Sequence, residues 1–571
     1  MSMNKPVLIQ KGDAPNTKKR RFNLDIWGIA STVIFLAYTL FLVYPVGNIL
    51  KQSVIGDAGG VTFENFTQFF SKSYYSNTLV NSFKVSTAAT FFALVIGTLL
   101  AYMFAVYEFK GKKLLRILII TASMSAPFIG AYSWILLLGR SGVITKFVSN
   151  LIGFQMPDIY GFFGIVLVFT LQLFPLIFMY ISGAFKGIDQ SILEAAEGMG
   201  VTGFNRFRKV ILPLLMPTIL GGALLVFMSA FSDFGTPMLI GEGYRTFPVL
   251  IYTEFISEVG GDTAFAAALS VIAIVIALTI FLLQQLVTLK FSFSMSSLHP
   301  VQTRKISGFK KVLVYSVSYG IVFIAILPQL YLIYTSFQNT SGMVFVPGYS
   351  LNSYREAFQR TGSAIFNSLK IPFFALIIIV VFAIFISYLS VRKRNTVTST
   401  IDTISMIPYI VPGTVLGIAF LTSFNTGVGG SGFLSITGTS LILIISFAVR
   451  RLPYTIRSSV AQLHQIPVAI EEAAESLGSG QINTFFKITV PMMLPGIISG
   501  AILSWIMMLS ELSTSILLYT VNTRTMTVAI YTEVIRGNYG IAAALSTMLT
   551  ILTISSLLLF MKVTGDDEIS L

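Results

Sequence analysis

Carboxylates and phenols are the side chains of this sequence best placed for chemistry. Asp233 and Glu511 stand in apolar stretches, each about 20 residues beyond a proline, Pro213 and Pro491, which is roughly 30 Å along a helix. Tyr252 and Glu254 follow the first acid, and Tyr531 and Glu533 follow the second. Carboxylate and phenolate oxygens are hard ligands that suit a hard cation such as Fe³⁺. The same groups also serve as helix caps or solvated interfacial residues. Arg245 and Arg524 nearby suit an anion instead, so the residues alone leave the sign of a ligand open. Other chemistries find no residues. The chain has no cysteine, which excludes disulfides, thiolate metal sites and iron–sulfur clusters. His299 and His464 are far apart and read as loop or packing residues. There is no catalytic triad, zinc motif or fixed metal site. Gly111-Lys112 lacks the upstream glycine and the hydroxyl residue of a nucleotide-binding loop. The chain is expected to be no enzyme and to hold no cofactor of its own.

The elements that must position these acids are membrane helices. The chain has 571 residues, 54% hydrophobic and only 11% charged, with a mean hydropathy of +0.80. A soluble domain carries about 25% charged residues. Apolar runs lie near 26–50, 79–107, 114–138, 162–185, 211–233 and 264–289, and near 312–336, 365–391, 401–424, 438–461, 489–511 and 540–562. With no water in a bilayer core, each run must bond its own backbone as a helix. The reading is an all-α integral membrane protein of about twelve spans, six and six. An acid within such a span is costly and faces the interior or water. The net charge of +14 reports basic loops rather than nucleic-acid binding. Lys110, Lys112, Lys113 and Arg116, then Arg206, Arg208 and Lys209, then Lys290, Arg304, Lys305 and Lys310, and finally Arg392, Lys393 and Arg394 all fall on one side if twelve spans are right. Both termini are then cytoplasmic. Residues 1–25 form a basic tail. The run after it exceeds the roughly 7–15 residues of a signal-peptide core and reads as a retained span. Trp27 and Trp134 suit interfacial anchors.

The chain repeats itself. Glu194-Ala195-Ala196, Gly200 and Pro213 recur as Glu472-Ala473-Ala474, Gly478 and Pro491, and Asp233 recurs as Glu511, all at one shift. Arg245-Thr246 and Tyr252-Thr253-Glu254 recur as Arg524-Thr525 and Tyr531-Thr532-Glu533, one residue further along; Asn81-Ser82 recurs as Asn367-Ser368 and Tyr102 as Tyr388. An even number of spans per half gives both halves the same orientation. The expected segments are a first repeat 26–289, a cytoplasmic linker 290–311, a second repeat 312–562 and a tail 563–571. Within each repeat the segment before the fifth span favours a short helix with an apolar stripe, ended by a left-handed glycine, with the proline in the first turn of the next span. One Glu-Ala-Ala is an ordinary helical tripeptide. Two copies at identical spacing, both facing the cytoplasm, are not.

On these residues the chain resembles the permeases of binding-protein-dependent ABC importers, which carry such loops to dock their ATPase subunits. Phe231-Ser232-Asp233-Phe234-Gly235-Thr236-Pro237, Glu511-Leu512-Ser513-Thr514-Ser515 and Val528-Ala529-Ile530-Tyr531 resemble, more narrowly, the fused two-repeat permeases of ferric-iron importers. Permeases for phosphonate, thiamine, polyamine or sulfate share similar stretches. The resemblance implies a type I importer fold in a bacterial cytoplasmic membrane. Two ATPase subunits holding ATP and Mg²⁺ would dock on Glu194–Gly200 and Glu472–Gly478. An extracytoplasmic binding protein would deliver the substrate. Asp233, Glu511, Tyr252, Glu254, Tyr531 and Glu533 are candidates for the path, with transient Fe³⁺ contact. An ion-gradient-driven transporter can also have parallel six-helix repeats.

Overall fold

The computed structural model describes residues 26–55, 60–124, 126–257, 262–291 and 301–564. Residues 1–25 and 565–571, and residues 292–300 of the linker, with His299, lie outside the described residues.

Every one of the twelve apolar runs is helical, and two of them are broken. The run at 114–138 forms Lys112–Met124 and Pro127–Leu138, and the run at 401–424 forms Thr396–Ser405, Ile407–Ile410 and Gly413–Phe424. A proline stands at each break, Pro127 in the first turn and Pro412 as N-cap. Neither can donate a backbone hydrogen bond to the preceding turn. The second break bends the chain by 110°. Among the described residues ten helices are long and apolar enough to cross a membrane, and eleven if that bent pair is one span. The run at 438–461 is one helix, Ser440–His464, whose apolarity is interrupted by Arg450, Arg451 and Arg457.

The repeat extends to backbone detail. Phe162–Lys186 corresponds to Ser440–His464 at the same shift as the Glu-Ala-Ala copies. π-Helical turns at Phe207–Ile211 and Phe485–Thr489 lead into Leu212–Ser232 and Val490–Leu509. Each turn directly precedes Pro213 or Pro491, where wider bonding accommodates a residue without an N–H. Asn81 Nδ2 donates to the Arg245 carbonyl at 3.0 Å, and Asn367 Nδ2 to the Arg524 carbonyl at 3.1 Å. The Phe247 and Met526 amides donate to Ser82 Oγ and Ser368 Oγ at 2.7 and 2.6 Å. The repeated Asn-Ser pair thus holds the same loop in both halves.

The first helix of each half lies against the other half. Ile26–Tyr38 packs on Thr396–Ser405 and Asn352–Arg392, while Gly308–Ser336 packs on Lys112–Met124 and Pro127–Leu138. Trp27 is seated between the rings of Tyr388 and Phe485, at 4.7 and 5.0 Å. Trp27 and Trp134 are both buried. They are packing residues that join helices, not interfacial anchors, because helices from both halves cover them. One hydrophobic core therefore runs through both repeats, from Phe128 and Phe247 to Phe447 and Leu545. Among the described residues, strand structure is confined to the hairpin Gln338–Ser341 with Val344–Tyr349 and a two-residue parallel pairing of Tyr107–Glu108 with Arg304–Lys305.

Candidate functional site

The two Glu-Ala-Ala copies form the short helices Gln190–Gly198 and Val468–Ser476. Asp189 caps the first by accepting from the Ser191 amide at 2.9 Å. Gly200 and Gly478 have φ of +79° and +88°, and both helices close in the same way. The Val201 amide donates to the Ala196 carbonyl, and the Ser479 amide to the Ala474 carbonyl. This is the left-handed closure that glycine allows without strain. Leu193 and Ala196 root the first helix, and Glu471 and Ala474 root the second. Glu194, Ala195, Glu472 and Ala473 face outward. Met199 and Leu477, equivalent by the repeat, are 76% and 90% exposed. Each short helix thus offers a solvent-facing acid and small residues beside one bare apolar side chain.

The helices are tied down differently. Arg392 Nε donates to Glu471 Oε1 at 2.9 Å, and its Nη2 to the Ile466 carbonyl at 2.7 Å. In the first half Glu197 Oε2 accepts from Arg206 at 3.0 Å and from Arg304 of the linker at 2.8 Å. Arg304, with help from Arg206, holds the Glu197 carboxyl below its usual range. Sequence reasoning missed both ties.

Asp233 and Glu511 line one cavity of about 250 Å³ between the halves. Each ends a long helix and caps the next short one. Asp233 Oδ1 accepts from the Thr236 amide at 2.9 Å, and Glu511 Oε1 from the Thr514 amide at 3.1 Å. Capping and lining the cavity are therefore joint roles of the same two acids. Arg450 Nη1 and Arg451 Nη2 both donate to Glu511, and Arg450 Nη1 also to Thr514 Oγ1 at 2.8 Å. Gly413, just past the 110° bend, leaves room for this arrangement, since a Cβ there would overlap the Arg450 guanidinium. In the first half Gln172 and Leu173 occupy the places of Arg450 and Arg451. The two arginines are functional candidates that sequence reasoning passed over. Their signal was available, because paired arginines inside an apolar run demand an acid.

The remaining candidates do not line this cavity. Tyr252 and Tyr531 lie on the short helices Phe247–Ile256 and Met526–Ile535, and their rings approach Phe234 at 4.5 and 6.3 Å from opposite halves. Glu533 is buried and accepts from Asn538 Nδ2 at 2.6 Å and from Arg536 Nη1 at 3.3 Å. Glu254 is half-buried, and burial pushes its carboxyl up, against the pull of Arg245.

Two parallel helical halves around a charged internal cavity, each projecting an exposed short helix, define a membrane transport permease. The chain belongs to the family of binding-protein-dependent transport system inner membrane components, whose sequence model matches residues 93–292 and 379–563. It is 28% identical over 563 residues to the ferric transport system permease protein FbpB of Actinobacillus pleuropneumoniae, covering 95% of this chain and 79% of that one. It is 25% identical over 476 residues to the Fe(3+)-transport system permease protein FbpB 2 of Haemophilus influenzae, covering 83% and 87%. Among solved structures, a bacterial ABC transporter involved in import of the acidic polysaccharide alginate aligns with 47% of this chain and 96% of its own at a TM-score of 0.39 and 16% identity.

Proposed function

We propose that this chain is the membrane subunit of a ferric-iron importer. An extracytoplasmic binding protein delivers the iron, and two ATPase subunits seated on the short helices Gln190–Gly198 and Val468–Ser476 drive its passage. ATP and Mg²⁺ belong to those subunits. Both termini and the basic loops then face the cytoplasm. The observation that carries the coupling role is the matched pair of exposed helix faces, Glu194, Ala195 and Met199 against Glu472, Ala473 and Leu477. A partner with twofold symmetry meets equivalent surfaces on both halves. Iron as cargo is supported by ferric-transport relatives that run along nearly the whole chain.

Uptake of ⁵⁵Fe³⁺ is measured in a strain lacking this chain, with thiamine and phosphonate uptake as controls. Iron uptake should fall on deletion and return with the gene. Uptake that is unchanged removes iron as the cargo. Uptake that persists without the ATPase but collapses with the proton or sodium gradient replaces the ATP-driven reading with a secondary transporter. A permease assigned to 2-aminoethylphosphonate transport, PhnU of Salmonella typhimurium, is 26% identical over 252 residues, which keeps phosphonates as the second reading.

A further inference from the structure

The two walls of the central cavity carry unequal charge. Arg450, Arg451 and Glu511 come from the second half and Asp233 from the first, and these four are the charged residues among those described in the lining. Glu511 engages both arginines through its two oxygens. Its carboxylate is therefore already committed, and the second-half wall keeps one uncompensated positive charge. Arg451 Nε is buried with no hydrogen-bond partner among the described residues. Asp233 accepts the Thr236 amide, and no ion pair holds it among the described residues. Serine hydroxyls lie on both walls, Ser229 and Ser232 on one and Ser510 and Ser513 on the other.

A bare cation fits this arrangement poorly. It would meet two guanidinium groups and a carboxylate that they already occupy. An oxyanion fits the arginine wall, because a guanidinium presents several donors in a plane that matches two oxygens of a carboxylate or phosphate. A positive centre fits the opposite wall at Asp233. The first half has no arginine at the equivalent positions, only Gln172 and Leu173, so the asymmetry fixes which end of a ligand faces which half.

We propose that the cavity is a dipolar site in which Arg450 and Arg451 receive an oxyanion and Asp233 faces the positive centre that travels with it. Two sources share that chemistry. One is a ferric ion carrying a bound phosphate or carboxylate. The other is a zwitterion whose phosphonate and ammonium belong to one molecule. The first source rests on the ferric reading above, while the second does not.

The test uses the complete transporter, with its ATPase and binding protein, in proteoliposomes. Iron is supplied as ⁵⁵Fe³⁺ with ³³P-phosphate or ¹⁴C-citrate, and labelled 2-aminoethylphosphonate is supplied separately. Iron should enter with one anion label at a constant ratio. Arg451→Gln should lower entry of both about tenfold or more, the loss expected when a charge-assisted donor to an anion is removed. The triple variant R450Q/R451Q/E511Q decides whether the arginines merely neutralise Glu511, because it removes the acid together with both positive charges. Removing all three charges should leave transport defective, and restored transport overturns the proposal. Iron entering with neither label also overturns it and leaves the ferric reading intact. Entry of aminoethylphosphonate but not iron, lost in R451Q, keeps the dipolar site and removes iron as cargo. Entry of neither, while the binding protein still stimulates ATP hydrolysis, overturns both.

Discussion

Arg392 and Glu471 form a salt bridge at 2.9 Å in which each side chain is only 10% exposed. The arginine ends the long helix Asn352–Arg392, and the glutamate begins the short helix Val468–Ser476. This contact is a rigid route from the second short helix into the membrane-spanning bundle. Removing one partner leaves the other charge buried and unpaired, which costs about 3–5 kcal/mol in such settings. Arg392→Ala should lower the melting temperature of the purified chain and uncouple ATP hydrolysis from uptake. R392A/E471A should regain much of the stability. A double variant no more stable than R392A would show that the pair itself is not what holds the helix.

The exposed acids should behave differently. Glu194 and Glu472 face outward, so E194A/E472A should change stability by no more than about 0.5 kcal/mol, as for other exposed positions. Transport should nevertheless fall strongly, because in the proposed function these groups meet the ATPase. Membrane abundance and uptake, measured together, separate the two effects. Full uptake in the double variant would remove these acids from the coupling surface.

Met199 and Leu477 give an independent test of the same surface. Charged replacements, M199D/L477D, add no buried charge to the isolated chain because both positions are largely exposed. They should abolish co-purification of the ATPase while leaving the chain in the membrane at normal abundance. Retained co-purification would place the docking surface elsewhere.

The first short helix depends on the linker. Glu197 accepts from Arg304 and Arg206, and Gln190 Oε1 accepts from the Gln302 amide at 3.3 Å. The Glu197 carboxyl is held below the ordinary range, chiefly by Arg304. Its stabilising effect is therefore complete above the unfolded carboxyl value and is lost as pH falls through the lower, folded one. Hydrogen exchange at 301–306 should stay slow at neutral pH and quicken only under acid conditions. Glu197→Gln should quicken it at neutral pH. Exchange that is indifferent to both pH and E197Q would mean that the strand pairing with Tyr107–Glu108 alone holds the linker.

What the residues disclosed in advance follows from how each feature is encoded. The short helices were legible because two copies of one spacing fix both the helix and its glycine end. The acids at 233 and 511 were legible as a repeated pair, yet their capping role needed Thr236 and Thr514 in place. Arg450 and Arg451 were absorbed into an apolar run, and their acid lies 61 and 60 residues away in sequence. The breaks at Pro127 and Pro412 carried a local signal that run length concealed. The crossing of each first helix onto the other half carries no local signal, since an apolar helix packs equally well on either side. Trp27 illustrates this. Its type suited an interface, but Tyr388 and Phe485 from the opposite repeat enclose it.

Gly413 links the helix break to the cavity. It follows the 110° bend, and a Cβ there would overlap the Arg450 guanidinium and come within 2.7 Å of Ser513 Cβ. The Arg450 guanidinium cannot yield easily, because it is fixed by Glu511 and Thr514. Overpacking of this kind costs about 1–3 kcal/mol, and here it falls on the charged lining rather than on the short helices. Gly413→Ala should reduce uptake severely while leaving ATPase co-purification intact. Gly221→Ala is the matched control, because nothing lies within 4 Å of a Cβ at that helical position. If G413A transports as well as G221A, the Arg450 seat is not needed for passage. If G413A instead loses the ATPase, the cavity and the short helices form one mechanical unit closer than their separation in the fold suggests.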